Sequence, residues 1–298
     1  MKSRRRLFLL LVAALALVLI AVSCGEEEPT DTGSDDGGNG ESTEEQDFTL
    51  VEEGVLTVGS DIPYPPFEFE EAGELTGFDV EIVREVGERL GLENPDEAWI
   101  STDFGTIFQQ LASGSQFDIV AAAVTGYAPD GSPAAEVVAE RTAVVDFTIP
   151  FYPSLQALTV DSEASPDIDG VDALPDGARV GVQRATTGAF YAEENLTGAE
   201  LVSFEKAPQM YQQLQAGQLD GVFNDLPVTV DSIDDKPGLE VVEQVETGEE
   251  YAIAVSKDNP ELTEAINGAL EEMFEDGTFA EIYSTYFPEQ ELPEYASE

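Results

Sequence analysis

Two stretches of this chain, about 100 residues apart, follow one plan. Gln109-Gln110-Leu111-Ala112-Ser113-Gly114-Ser115-Gln116-Phe117-Asp118 runs into Ile119-Val120, and Gln212-Gln213-Leu214-Gln215-Ala216-Gly217-Gln218-Leu219-Asp220 runs into Gly221-Val222-Phe223. Phe104, Ile107, Phe108 and Leu111 fall on one helical face before the first glycine, and Met210, Tyr211 and Leu214 do so before the second. Gly114 and Gly217 are placed to end a helix in the left-handed conformation, and each is followed by a strand. The flanks agree. Strand, helix and strand signals lie around Val55-Leu56-Thr57-Val58, Ile82 to Leu90 and Trp99-Ile100 on one side, and around Arg179-Val180-Gly181-Val182, Tyr191 and Leu201-Val202-Ser203 on the other. Each half therefore reads β-α-β-α-β. Strands that alternate with helices predict an α/β fold of two lobes, each a mostly parallel sheet flanked by helices. Ligands bind beyond the carboxyl ends of such strands. Those ends are residues 60–67, 122–125, 183–188 and 224–225, facing one another across a cleft.

The tail is expected to return to the first lobe. Tyr251-Ala252-Ile253-Ala254-Val255 is strand-like, Asp258-Asn259-Pro260 is a helix start, Leu262, Ile266, Leu270 and Phe274 keep helical spacing, and a shorter helix is predicted over 278–286. Lobe one then comprises residues 48–150 and 249–298, and lobe two residues 151–248. Crossings near residues 148–153 and 244–250 supply a two-strand hinge.

The first 23 residues stand outside this plan. Lys2, Arg4, Arg5 and Arg6 precede an unbroken apolar run over residues 7–22, the layout of an export signal. Sixteen apolar residues fall short of the ~20 a membrane-crossing helix needs. Ala21-Val22-Ser23-Cys24 resembles a bacterial lipobox, which implies that Cys24 becomes a lipidated amino terminus anchoring the protein to the outer face of the cell membrane. The alternative is a secreted protein with a stray thiol. Residues 24–47 carry ten acidic side chains and no aromatic or large aliphatic residue, so they read as a disordered, self-repelling tether.

Charge excludes several partners. The chain holds 62 acidic and 12 basic side chains and no histidine, a formal charge of −50; four of the bases lie in the first 23 residues, so the rest carries 62 acids against 8 bases, or −54. Nucleic acid and anionic lipid are repelled by such a field, leaving a lipid anchor as the only expected membrane contact. With Cys24 the sole cysteine, no intramolecular disulfide forms.

Ordered motifs carry a family resemblance. Val58-Gly59-Ser60-Asp61 through Tyr64-Pro65-Pro66-Phe67-Glu68-Phe69 to Leu75-Thr76-Gly77-Phe78-Asp79-Val80, then Val145-Asp146-Phe147-Thr148 with Pro150-Phe151-Tyr152, Gly181-Val182-Gln183 with Thr186-Thr187-Gly188, and Asp276-Gly277-Thr278 with Ile282-Tyr283, span residues 55–287. Together they resemble the extracellular solute-binding proteins of polar amino acid ABC transporters, bacterial solute-binding protein family 3. The resemblance implies a two-lobed periplasmic-binding-protein fold that closes on an amino acid and presents it to permease subunits, as a monomer without cofactor or metal.

It also implies site residues. Arg141, five positions before Asp146, matches the arginine that grips the ligand carboxylate, work suited to a planar guanidinium; by composition alone it reads as a surface ion pair. Asp225 matches the acceptor for the ligand ammonium. Tyr64 and Phe104 match aromatics that sandwich the ligand side chain, although Phe104 also fits a core role beside Ile107. Ala122 and Ala123 match small residues whose main chain meets the ammonium, Thr125 a hydroxyl donor to the carboxylate, and the Thr187 amide a second donor. Asp61 matches a contact to the ligand side chain or a shaper of its loop. One departure stands out: the family passes from its threonine to its arginine in about five residues, whereas Thr125 and Arg141 are sixteen apart, with Tyr127 in the interval as a candidate to enter the site.

The rival is an extracytoplasmic enzyme on the same scaffold, similar to dehydratases acting on prephenate-like acids. Absence of histidine removes the commonest general base and every Ser/His/Asp, Cys/His and His-based metal constellation. A kinase-coupled sensor would need a membrane span and a cytoplasmic domain. Asp61 and two aromatics suit a basic or polar ligand side chain, and composition does not choose between them.

Overall fold

The computed structural model describes residues 48–114 and 116–297; the export signal, Cys24 and the acidic tether lie outside them. Both copies of the sequence repeat fold as their pattern dictates. Helix Ile107–Ala112 ends before Gly114 (φ 63°) and leads to strand Ile119–Val120; helix Ala207–Gln215 ends before Gly217 (φ 68°) and leads to strand Gly221–Asp225. Ile107 and Leu111 are buried in the first copy, Met210, Tyr211 and Leu214 in the second. Each repeat's aspartate fastens the opening strand of its own half. Asp118 accepts from the Thr57 backbone N–H at 2.9 Å, and Asp220 from the Arg179 N–H at 2.7 Å.

Two sheets result. In the first, Val58–Ser60 lies between Trp99–Ser101 and Ile119–Val120 in parallel, and Ala254–Ser256 and Val145–Phe147 add antiparallel strands beyond. In the second, Arg179–Gln183 lies between Glu200–Phe204 and Gly221–Asp225 in parallel, followed by Tyr152–Asp161, Leu239–Tyr251 and Thr125–Tyr127, all antiparallel. The βαβ repeat makes the parallel trio of each sheet. The antiparallel strands come from segments that travel between sheets, so both sheets are more mixed than the repeat alone predicts.

The crossings explain one difference from the sequence reading. Residues 251–255 are not one strand: Tyr251 ends the long strand Leu239–Tyr251 of the second sheet, and Ala254 opens a strand of the first. Residues 252–253 are thus the return crossing, later than the expected 244–250. Residues 148–151 make the outward crossing, and the two are stitched together: Thr148 N–H donates to the Ile253 carbonyl at 3.0 Å, and Ile253 N–H to Thr148 Oγ1 at 3.1 Å.

An aromatic node packs beside these crossings. Tyr152 and Tyr251 stack with centroids 5.4 Å apart, and Phe67, Phe78, Tyr283 and Phe287 surround them at 4.8–5.9 Å from Tyr152. Burying each such ring contributes about 1.5–3 kcal/mol. The closing helices Pro260–Asp276 and Thr278–Tyr286 bring Tyr283 and Phe287 to this node, joined through Gly277 in the left-handed region (φ 86°). Arg89, in the last turn of helix Phe78–Arg89, ties that helix to Asp276 at 2.7 Å and pairs with Glu85 one turn back in its own helix at 2.8 Å. Among the described residues no helix is long and apolar enough to cross a membrane.

Candidate functional site

A cleft enclosing about 330 Å³ of space, its mouth included, opens where the strand ends of the two sheets face each other. It is lined by Asp61, Tyr64, Phe104, Ala122, Ala123, Thr125, Arg141 and Thr187 with Asp225, joined by Gln183 and Thr186. All nine ligand-contact positions drawn from the family resemblance therefore reach one cavity. Gln183 and Thr186 were visible only as parts of motifs.

The sixteen-residue interval resolves into structure. Strand Thr125–Tyr127 is followed by helix Pro133–Val144, started by Ser132, whose hydroxyl accepts from Ala135 N–H at 3.2 Å, and by proline in the first turn. The helix runs back so that Arg141, in its last turn, returns to the threonine: Arg141 Nη1 donates to the Thr125 carbonyl at 2.8 Å. Tyr127 turns away, 39 % exposed, donating its hydroxyl to the Thr148 carbonyl at 2.8 Å.

Arg141 is 5 % exposed. Its guanidinium lies 5.3 Å from the centre of the Phe104 ring and 5.0 Å from that of Phe108, and Nη2 donates to the Ala185 carbonyl at 3.3 Å. Among the described residues it forms no ion pair within 4.0 Å, although Glu249 and Asp225 are near enough to favour its charge. Burial outweighs them and lowers its pKa from 12.5 to about 10. Phe104 thus serves two roles, packing with Ile107 and walling the guanidinium.

Asp225 stands at the end of strand Gly221–Asp225 and heads helix Leu226–Ile233. It accepts from Tyr64 Oη and from Gln156 Nε2, each at 2.6 Å. Burial pushes its pKa up to about 6 against the Tyr64 bond. The Tyr64 hydroxyl is held well above its ordinary value by burial and by Asp225, so it stays a donor.

Backbone completes the walls. Helix Thr187–Asn195 aims its N-terminus at the cleft, capped by Thr186, whose hydroxyl accepts from Ala189 N–H at 3.1 Å; such an end favours an anion. Ala123 and Ala185 both take positive φ, 47° and 62°, a strained state in non-glycine residues. Ala123 N–H donates to Asp79 Oδ2 at 2.8 Å, leaving its carbonyl as the group available to an ammonium. Asp79 is raised to about 7 by burial against that bond, and fully buried Glu68 beside it is raised well above its usual range by burial and by the charges of Asp79 and Asp61.

Two residues adjoin the site that sequence reasoning missed. Glu249, buried in the long strand Leu239–Tyr251, accepts from Thr125 Oγ1 at 2.7 Å, so the threonine hydroxyl is already committed to a carboxylate. Its signal was swamped by 62 acids. Lys206 forms an ion pair with Asp61 Oδ1 and donates to the Ile62 carbonyl at 3.0 Å, while Gln183 Nε2 donates to Asp61 Oδ2 at 2.6 Å. Asp61 thus meets both halves of the cleft. Nearby, Arg184 pairs with Asp103 across the rim. No group of three or more His, Cys, Asp and Glu placed to hold a metal occurs among the described residues.

The profile of the bacterial extracellular solute-binding proteins, family 3, matches residues 56–289. The chain belongs to that family. It is 30 % identical over 241 residues to the L-cystine-binding protein TcyJ of Escherichia coli K12, covering 80 % of this chain and 84 % of that one. It is 27 % identical over 248 residues to the histidine-binding periplasmic protein of Salmonella typhimurium, covering 78 % and 87 %. An ancestral arginine-binding protein bound to glutamine superposes with a TM-score of 0.70 at 33 % identity, over 79 % of this chain and 99 % of that one. An ancestral amino acid-binding protein, a precursor of cyclohexadienyl dehydratase, gives 0.67 at 29 %, over 78 % and 95 %. These relatives are binding proteins, and this member of family 3 is a two-lobed solute-binding protein rather than an enzyme.

Proposed function

We propose that this solute-binding protein captures an amino acid by closing its two lobes and delivers it to an ABC transporter permease, working as a lipid-anchored monomer outside the membrane. The observation that carries this reading is the pairing of unlike charges across one cavity. Among the described residues Arg141 is buried with no carboxylate within 4.0 Å on one side, and Asp225 is buried on the other. A zwitterion's carboxylate answers the first and the N-terminus of helix Thr187–Asn195; its ammonium answers the second and the Ala122 and Ala123 main chain. Because Arg141 precedes the outward crossing at residues 148–151, and Asp225 lies between that crossing and the return at residues 252–253, the two groups belong to opposite lobes and ligand contacts favour the closed state, as population shift requires. The cystine-, histidine- and arginine-binding relatives support an amino acid as ligand.

Thermal melts with each of the twenty amino acids, ectoine and betaines test the substrate class. A ligand at a hundred times its Kd adds about 2.7 kcal/mol to the folded state, an unmistakable rise. Shifts only with solutes that are not amino acids would reject it. Anchoring is tested separately by Cys24→Ser, which should release the protein from the membrane fraction into the medium; retention of that variant would reject the lipid anchor.

A further inference from the structure

Asp61 lines the same cleft as Arg141 and Asp225, and it is not free. Lys206 pairs with Oδ1 and Gln183 donates to Oδ2 at 2.6 Å, so each oxygen already has a partner while the residue is 3 % exposed. The neighbouring carboxylate is also paired. Asp103 is paired with Arg184, which also lies 3.7 Å from the exposed Glu205, and Glu68 behind them is pushed towards its neutral form by burial. A basic ligand side chain would thus meet an Asp61 that Lys206 already pairs, beside an Asp103 that Arg184 already pairs.

What Gln183, lining the cleft beside Asp61, does offer is an acceptor. Gln183 is 2 % exposed, and because its NH₂ faces the Asp61 carboxylate, its Oε1 is the other end; among the described residues nothing donates to that oxygen. A buried carbonyl left without a donor is unfavourable, and a ligand N–H or O–H that reaches it recovers the loss.

We propose that this protein selects a neutral amino acid whose side chain carries a hydrogen-bond donor, a carboxamide or hydroxyl, because Lys206 occupies the carboxylate that a basic side chain would need. The inference rests on the amino acid reading of the cleft. Lys206 acts as a specificity-determining residue: it supplies from the protein the positive charge that a basic ligand would bring.

Calorimetric titration of the full chain with glutamine, asparagine, serine and threonine, against arginine and lysine, tests this. At least one neutral ligand should bind ten times more tightly than either basic one. In Lys206→Met the ratio of arginine to neutral affinity should rise at least tenfold, since Asp61 is unmasked, whereas Lys206→Arg should keep the neutral preference. If Lys206→Met does not fold, judged by its melt, the wild-type ranking and Lys206→Arg decide. A wild type that prefers arginine or lysine, or a ratio unmoved in Lys206→Met, overturns the inference while leaving the amino acid reading intact. Failure of every amino acid to bind the wild type overturns both.

Discussion

Replacing Arg141 by methionine should separate binding from folding. The side chain is fully enclosed, and its pKa falls from 12.5 to about 10, so keeping it charged in the empty cleft costs on the order of 3 kcal/mol. Its bonds to the Thr125 and Ala185 carbonyls, at 2.8 and 3.3 Å, return about 1.5 kcal/mol apiece. These terms nearly cancel. Methionine fills similar volume against Phe104 and Phe108, so the ligand-free variant should unfold within about 2 kcal/mol of the parent, a shift of no more than ~8 °C for a body of this size. Ligand binding has no such cancellation. Removing one partner of a buried charge pair costs about 3–5 kcal/mol, a loss between roughly a hundredfold and several thousandfold in Kd. Chemical denaturation without ligand and calorimetric titration with it, on the same preparation, give both numbers. A destabilisation well beyond 3 kcal/mol would make Arg141 a structural residue, and a Kd changed less than tenfold would remove it from the site.

Acidification should move stability and affinity in opposite directions. Asp61 and Asp225 are raised to about 6 and Asp79 to about 7, above their unfolded value of 3.8, so the stability tied to their protonation is absent above pH 7 and complete below about pH 4. Ligand-free protein should therefore resist urea better at pH 5 than at pH 8, while affinity for an ammonium-bearing ligand falls as Asp225 is neutralised below about pH 6; parallel trends would refute the assignment. Gly77→Ala should destabilise by about 3 kcal/mol or more, since φ is 132° and a Cβ would sit 2.1 Å from the Phe67 carbonyl oxygen, and a melt unchanged within 2 °C would contradict the backbone path. Arg184→Ala breaks the rim pair to Asp103, whose partners are 46 % and 30 % exposed, and should weaken binding by less than tenfold, an effect that shrinks in high salt; a loss of a hundredfold would place Arg184 inside the site.

Much of this architecture was legible because the chain states its plan twice. Gly114 and Gly217 fix two helix ends, and the apolar spacing around each one fixes the buried face. Residues 251–255 show the limit of such reading: an apolar run looks the same whether it stays in one sheet or leaves it, and only pairing partners reveal that Tyr251 and Ala254 belong to different sheets. Arg141 became a site candidate through family spacing, not composition, and the capped helix Pro133–Val144 shows why a longer interval still returns it to Thr125. Glu249 and Lys206 escaped because a single charge in so acidic a chain carries no pattern. Their meaning lies in what faces them across the cleft, and no linear spacing encodes that.

The paired crossings at residues 148–151 and 252–253 set how this molecule can be tuned. Thr148 is bonded through both its amide side and its hydroxyl side to Ile253, so the two connectors share torsion like a pair of strings tied together. On the proposed lobe closure, a change of a few degrees there would swing the distant jaws and shift the ratio of open to shut molecules without touching any atom that meets the solute. Selection acting on transport rate would then have a dial separate from the one that sets chemical preference.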